Sequence, residues 1–455
     1  MSRSLRCETM TVIATPDPKA RYLAAFETLM ENERAEGRAD HWLNELRRAA
    51  IERFQALGFP TLRDEGWRRT NLSPLLSVDG QGMTPAQLNG TVRQSFESFL
   101  IPQLTGSRLT FVNGHYAPEL SSVAGLPEGV QVRSLREATA DDTAAVRTHL
   151  GQYAKFEKNV FTALNTAFSR DGAFIFVPSG VKVEEPVHLL FVTLGGEAPA
   201  VAHPRTLVVA EAGAEVTLIE HYVGNVGETY FNNPVTEMAL SEGAHVDHYK
   251  VQQESTSAFH MATMQVEQEG KVVFSNLNVA LGGKLARSHM GARLGQPNIE
   301  TTLNGLLCIG GDQQVDNETV MEHAAPNCAS HEIYTGVLDG RARANFTGKI
   351  FVHRVAQKTD AKQTNRSLLL SADATADSKP QLEIFADDVR CTHGATIGQL
   401  DDDAIFYLRA RGIDARDAKA MLILAFVSAV TADVQVEPLR EMLNAELFAR
   451  LSVQN

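Results

Sequence analysis

AEAGAEVTLIEHY at Ala210–Tyr222 and LSEGAHVDHYK at Leu240–Lys250 share one texture: an acidic residue, a glycine turn, and then a β-prone run. Gly213 and Gly243 stand thirty residues apart, and Gly270 follows after twenty-seven. Imperfect repetition at that period predicts stacked rungs, each burying its apolar face against the next. The same texture extends on both sides of the pair. From about Ala173 to Gly398 the chain is a series of short β-prone runs, among them FIFVP, LLFVTL, RTLVVA and KVVFSNLNV, punctuated by glycine and nearly free of helical periodicity. This pattern is compatible with a stacked solenoid or with a large sandwich.

Both ends read differently. Asp17-Pro18 offers an N-cap with proline at the first helical position, and Tyr22, Ala25, Phe26, Leu29 and Met30 recur at helical spacing. A second stripe of Leu43, Leu46, Ala50, Phe54 and Leu57 stops at Gly58, with Pro60 behind it. Turn signals fill about 61 to 140, and a further helical section is expected over about Asp141 to Phe168. After Gly398, Asp414 can cap a helix whose apolar side is read as Ala418, Met421, Leu422, Ala425 and Phe426. Pro438 restarts a last helix striped by Leu439, Met442, Leu443, Leu447 and Leu451. The expected organisation is a mainly helical region over 1–170, a β core over 171–400 and a helical region over 401–455.

At 455 residues, with 44% hydrophobic and 21% charged, the chain has the composition of a folded globular protein rather than a disordered one. The net charge of −13 gives no general attraction to nucleic acid or to an anionic membrane. No stretch approaches the uninterrupted apolar length of a membrane span, and MSRSLRCETMTVIATPDPKA lacks the apolar core of a secretory signal, so a cytoplasmic protein is expected. Four cysteines, at 7, 308, 328 and 391, cannot make a disulfide framework and fit a reducing compartment.

The densest chemistry lies in EIFADDVRCTHGATIGQLDDDAIFYL, Glu383–Leu408. If Val389–Ala395 is extended, Cys391 and His393 share one face of a strand, with Thr392 on the other. A soft sulfur beside a borderline nitrogen suits iron, zinc or an iron–sulfur unit, although two donors do not close a site. His245 and His248 should face opposite ways, while Cys308 and Cys328, among small and apolar neighbours, read as core. No phosphate loop, nucleophile elbow or H-E-x-x-H motif occurs; Gly282-Gly283-Lys284 has neither the spacing nor the following hydroxyl residue of a phosphate loop.

KTDAKQTNRSLLLS at Lys358–Ser371, the ADDVRCTHGATIG segment and FYLRARGI at Phe406–Ile413 occur in an order that resembles the SufB/SufD family of iron–sulfur cluster assembly scaffolds. RDEGWRRTNL at Arg63–Leu72, FVNGHYAPELS at Phe111–Ser121, FTALNTAFSRDGAFIFVPSGV at Phe161–Val181 and HPRTLVVAEAGAEVTLIEHY at His203–Tyr222 look like further stations of it. His393-Gly394-Ala395-Thr396 stands where SufB-like chains read H-E-A-T, and Gln363-Thr364-Asn365 lacks the cysteine those chains tend to carry there, so the resemblance is to the SufD branch rather than to a SufB-like paralogue. It implies a mainly β fold, a right-handed parallel β-helix flanked by helical regions. It also implies a non-enzymatic subunit that acts with SufB and the ATPase SufC, or pairs as a homodimer, and holds no permanent cofactor. Cys391 and His393 would lend ligands to a transient iron–sulfur cluster at the SufB interface, and Met421, Leu422 and Phe426 would dock SufC. A β-helix carbohydrate-active enzyme is the rival; it requires a cleft with paired carboxylates, whereas Asp401-Asp402-Asp403 reads as a solvated run.

Overall fold

The computed structural model describes residues 17–38, 41–78, 81–82, 96–141, 143–195 and 198–453. Its centre is a parallel β-helix in which successive strands alternate between two sheets. One sheet carries Arg205–Ala210, Val235–Leu240, Phe259–Gln268, Leu285–Leu294, Gln314–His323, Arg343–Val352 and Thr375–Ile384 in that order. The other carries Glu215–Gly224, His245–Gln253, Val273–Ala280, Glu300–Ile309, Ala329–Leu338, Asp360–Leu369 and Arg390–Gly398. Each strand pairs with the one a full turn earlier without offset, so Leu285 faces Gln314, which faces Arg343. Side chains bonded across one turn, such as Asp312 with Arg341 or His221 with Gln253, lie 29 to 32 residues apart.

The corner leading into the second sheet repeats through six successive turns. Gly213, Gly243, Lys271, Asn298, Asn327 and Lys358 all hold positive φ, between 60° and 72°. Their N–H groups donate to carbonyls of the next turn, from Gly213 to Glu242 through to Lys358 to Asp388. Glycine and asparagine tolerate this conformation, whereas a lysine there carries strain. Gly270 continues the spacing seen in the sequence, but the left-handed residue of that turn is Lys271, one position on.

Three layers of burial follow. Between the sheets, Val216, Leu218, Val246, Met264, Phe274, Met290, Leu303 and Phe346 belong to a continuous core. Helices Pro18–Ala35, Leu43–Leu57 and Val160–Phe168 pack Phe26, Phe54, Phe161 and Leu164 onto the outer face of the first sheet at Phe231, Phe259, Met261 and Leu285. Helices Ala415–Thr431 and Glu437–Val453 fold back over the outer face of the second, setting Ile423, Val427, Val430, Leu443 and Leu447 on Ile219, Tyr249, Val251, Leu277 and Leu306. The strands therefore read as nearly continuous apolar runs because both their faces are covered.

The caps fall where the sequence puts them, with Asp17 accepting from Lys19 N–H and Gly58 closing the second helix at φ 63°. The segment before 171 also contributes strands, Arg108–Val112 parallel to Val187–Thr193 and Gln131–Ser134 antiparallel to Ala173–Val177, which close the first turns of the coil. The helical section expected over 141–168 is two helices, Ala144–His149 and Val160–Phe168. The chain between them wraps the buried Glu237 carboxylate, to which the N–H groups of Gly151, Tyr153 and Ala154 donate.

Gly282 occupies the corner after Val273–Ala280, where a Cβ would lie 2.1 Å from the carbonyl oxygen of Glu254. The obstacle is backbone of the adjacent turn and cannot rotate away. Gly282→Ala is expected to destabilise the protein by about 1–3 kcal/mol, read as a lower urea midpoint with an unchanged m-value. An unchanged midpoint would show that the turns can separate at this corner.

Candidate functional site

The start of the coil is covered and its far end is not. Arg390–Gly398 and Thr375–Ile384 are the terminal strands of their sheets, each paired on one side, with Asp360–Leu369 and Arg343–Val352 respectively. In Asp360–Leu369 the side chains Ala361, Gln363, Asn365 and Ser367 are buried in the interior. By register Cys391, His393, Ala395 and Ile397 stand directly over them. These are interior positions without a following turn. His393 is exposed, Ile397 is 49% exposed, and Cys391 is half-buried against the rim of the core.

Cys391 and His393 thus share the inward face of the last strand. Burial, and next the Asp360 carboxylate, push the Cys391 thiol above its ordinary value, so it stays protonated until a cation arrives. Among the described residues no three His, Cys, Asp or Glu side chains converge into a metal-holding group. Two donors at an open rim can bind a soft ion or cluster when a second surface supplies the rest. Cys7 lies outside the described residues. Cys308 and Cys328 are buried, and burial drives the Cys308 thiol to about 11, which suits packing rather than ligation.

One column of the interior runs up to this rim. Glu332, Gln363 and His393 occupy the same register position in three successive turns. The Gln363 amide donates to Glu332 Oε2 at 3.3 Å, as does the Thr319 hydroxyl at 2.6 Å, while Glu332 Oε1 and Gln363 Oε1 have no partner. Burial raises the Glu332 carboxyl to about 7, and its two hydrogen bonds only partly offset that rise. The two rims differ as acceptors of a further strand. Thr375–Ile384 contains Pro380, which has no N–H, whereas Arg390–Gly398 contains no proline.

Deeper in the coil lies a polar cluster not anticipated from sequence. Glu220 accepts from Tyr222 and Thr236, with His248 Nε2 at 3.6 Å; Glu254 accepts from Gln252 and faces His260 Nδ1 at 2.8 Å; Lys250 donates to Ser288. Burial lowers Lys250 to about 8. The signal for it was alternation: His248, Lys250, Gln252 and Glu254 fall on every second position of a strand whose other positions include Tyr249 and Val251. His245 and His248 do face opposite ways, one 48% exposed and the other 1%.

On the C-terminal helices the buried side of Ala415–Thr431 is Ala418, Ile423, Val427, Val430 and Thr431. Ala418 is the member of the expected stripe that is fully buried. Met421 is 49% exposed, Leu422 and Phe426 are half-buried, and Phe426 rests on the core beneath. The preceding helix, Asp402–Arg409, buries no residue and leaves Phe406 and Tyr407 exposed. With Met421 they are large apolar side chains exposed on the C-terminal helices. A cleft of about 720 Å³ between the N-terminal helices and the first sheet is lined by residues that include Trp67, Lys155, Arg287 and Glu318, none of them at the rim. No described helix is long and apolar enough to cross a membrane.

The family profile described as "SUF system FeS cluster assembly, SufBD core domain" matches residues 191–426, and that described as "SufBD protein N-terminal region" matches 18–189. An iron–sulfur cluster assembly SufBD family protein of Synechocystis is 35% identical over 92% of this chain and 93% of its own length. The iron–sulfur cluster assembly protein SufD of Escherichia coli is 32% identical over 88% and 91%. The chloroplastic protein ABCI7 of Arabidopsis thaliana is 30% identical over 85% and 82%.

Proposed function

The chain belongs to the SufBD family of iron–sulfur cluster assembly proteins, and from that premise we propose that it is a SufD-type scaffold subunit that completes a cluster-building site together with SufB. The observation that carries this reading is the uncovered last turn, where Cys391 and His393 share an inward face that nothing in this chain closes. A second surface laid on that rim covers Ile397, satisfies the free edge of Arg390–Gly398 by strand addition and brings the missing donors. The nascent cluster is cargo: it is assembled between subunits and passed on to client proteins.

In the same proposal SufC docks on the C-terminal helices through the surface that includes Met421, Leu422 and Phe426, and its ATP hydrolysis drives the conformational change. The chain itself is non-catalytic and cytoplasmic, and in isolation a second copy covers the rim. Its part in the chemistry is to hold two donors in register at one end of a rigid coil. The raised thiol of Cys391 keeps that end chemically quiet until a metal is delivered.

Co-expression with SufB and SufC followed by anaerobic purification tests this reading. His393→Ala and Cys391→Ser are expected to leave complex formation and SufC-dependent ATP hydrolysis intact while lowering bound iron and sulfide about tenfold or more. Met421→Asp, at an exposed position, is expected to lose SufC from the purified complex while remaining folded. Wild-type iron and sulfide in both rim variants would overturn the site, and full SufC retention by Met421→Asp would overturn the docking surface.

A further inference from the structure

On the side of the molecule away from the rim, five arginines converge. Arg38, Arg47, Arg136, Arg170 and Arg205 line a cavity of about 70 Å³, walled by Leu43, Leu46, Leu135 and Leu150, beneath the N-terminal helices. Space of that size holds roughly five waters or one tetrahedral oxyanion. Three carboxylates face the group. Glu33 takes a bidentate bond from Arg38 and lies 3.4 Å from Arg47, Glu36 pairs with Arg38 and Arg136, and Glu237 pairs with Arg205. Nearby Asp171 is occupied by Ser134 and by the backbone N–H groups of Tyr116, Arg136 and Gly172. With Asp171 counted, five guanidinium groups against four carboxylates leave one positive charge uncompensated among these groups.

Two of the arginines are also short of partners. Arg47 is 4% exposed; its terminal nitrogens donate to Asn44 and to the carbonyl of Ser169, but its Nε–H has no acceptor. Arg170 has its Nε buried without a hydrogen-bond partner, and its charge acts on both Glu33 and Arg47. A buried guanidinium N–H without an acceptor is costly, and two beside one cavity are costlier because the charges repel. Burial, together with the charges of Arg170 and Arg38, pulls Arg47 below its ordinary value against the opposing pull of Glu33.

We propose that this cavity is a binding site for a small oxyanion of the phosphate or sulfate class, held by Arg47 and Arg170 with Arg38 and Arg136 at its mouth. The negative charge of such an ion offsets the excess, and its oxygens are the acceptors that the two Nε–H groups lack. The site joins the N-terminal helices to Ser169 and Arg170, directly ahead of the first strand of the coil, so occupancy fastens the helical region onto the β core. Neither the rim nor the exposed apolar side chains of the C-terminal helices take part.

Titration of the full-length protein with inorganic phosphate and with sulfate, at ionic strength held constant with chloride, tests the site by calorimetry and by melting temperature. Saturable binding of both ions with a rising melting temperature is expected, and acetate should not reproduce it. Arg170→Gln, at a position that is only partly buried, should fold normally and weaken binding about tenfold or more. Arg341→Gln, which removes a distant surface cation paired with Asp312, should leave affinity unchanged. Glu33→Gln should tighten binding, because it removes a competing carboxylate, an outcome that a purely structural arginine cluster would not give. Equal shifts with acetate, or wild-type affinity in Arg170→Gln, would overturn the proposal.

Discussion

Glu237→Ala is expected to destabilise the protein by about 3–5 kcal/mol, the range for breaking a buried ion pair from one side. The carboxylate is fully buried and lies 2.6 Å from Arg205, itself 2% exposed. It also accepts from the N–H groups of Gly151, Tyr153 and Ala154, so its removal strands a cation and three backbone donors at once. Arg205 would keep Asn165 and Thr166, which are neutral and cannot balance its charge. Urea denaturation should show the loss, and hydrogen exchange at residues 151–154 should rise with it. Arg205→Met combined with Glu237→Gln should recover part of the stability, because no unpaired charge remains. A loss below about 1 kcal/mol for Glu237→Ala would mean that water reaches the pair, as it does at surface ion pairs.

Glu332→Gln should do the reverse, increasingly as the pH rises from 4.5 to about 7. Glu332 is 1% exposed and has hydroxyl and amide partners but no cation, unlike Glu220, Glu237 and Glu254, each of which lies beside His248, Arg205 or His260. Its folded-state value of about 7 lies above the ordinary 4.5. The protonated form therefore favours folding: the stability it contributes is fully present below pH 4.5 and is lost as the pH rises through about 7. The loss amounts to about 3 kcal/mol at pH 8, from 1.36 kcal/mol per pKa unit. Glutamine keeps the Thr319 bond and can donate to the unpartnered Gln363 Oε1. Urea midpoints should nearly coincide for the two proteins at pH 4, below both values, and favour Glu332→Gln by up to that amount in stability at pH 8. Equal midpoints at both pH values would show that Glu332 is already neutralised or hydrated.

The coil was legible where glycine marks the left-handed corner, at Gly213 and Gly243, and became illegible where Lys271, Asn298, Asn327 and Lys358 adopt the same conformation. The backbone repeats more faithfully than the residues do, since asparagine tolerates that corner and the interlocking hydrogen bonds hold lysine there. The limits of the β region, Ala173 and Gly398, coincide with the first and last strands of the coil because β-prone runs begin and stop there. What Glu237 binds could not be read, because its partners lie in a loop more than eighty residues earlier.

The rim was half legible. Alternation places Cys391 and His393 on one face, and the register with Ala361 and Gln363 makes that face the inward one. Their exposure follows from the absence of another turn, which nothing within Arg390–Gly398 announces. On the helix Ala415–Thr431 the apolar residues run round most of the circumference, so a stripe through Met421 and Phe426 looked as good as the buried one through Ile423, Val427 and Val430.

The unshifted pairing of each strand with its predecessor one turn earlier also fixes an order of events during synthesis. From Arg205 onward, a chain delivered from its N-terminus offers each new strand of the coil a finished neighbour about thirty residues behind, whereas Arg108–Val112 waits for the more distant Val187–Thr193. The N-terminal helices and the strands that close the first turns emerge before the coil and supply its first template. Arg390–Gly398 is then the last strand laid down, and the helices that cover the second sheet follow within the final fifty-odd residues. That unpaired edge forms only after every earlier strand of the coil has been made, so a nascent coil has no finished rim until the turns beneath it are in place.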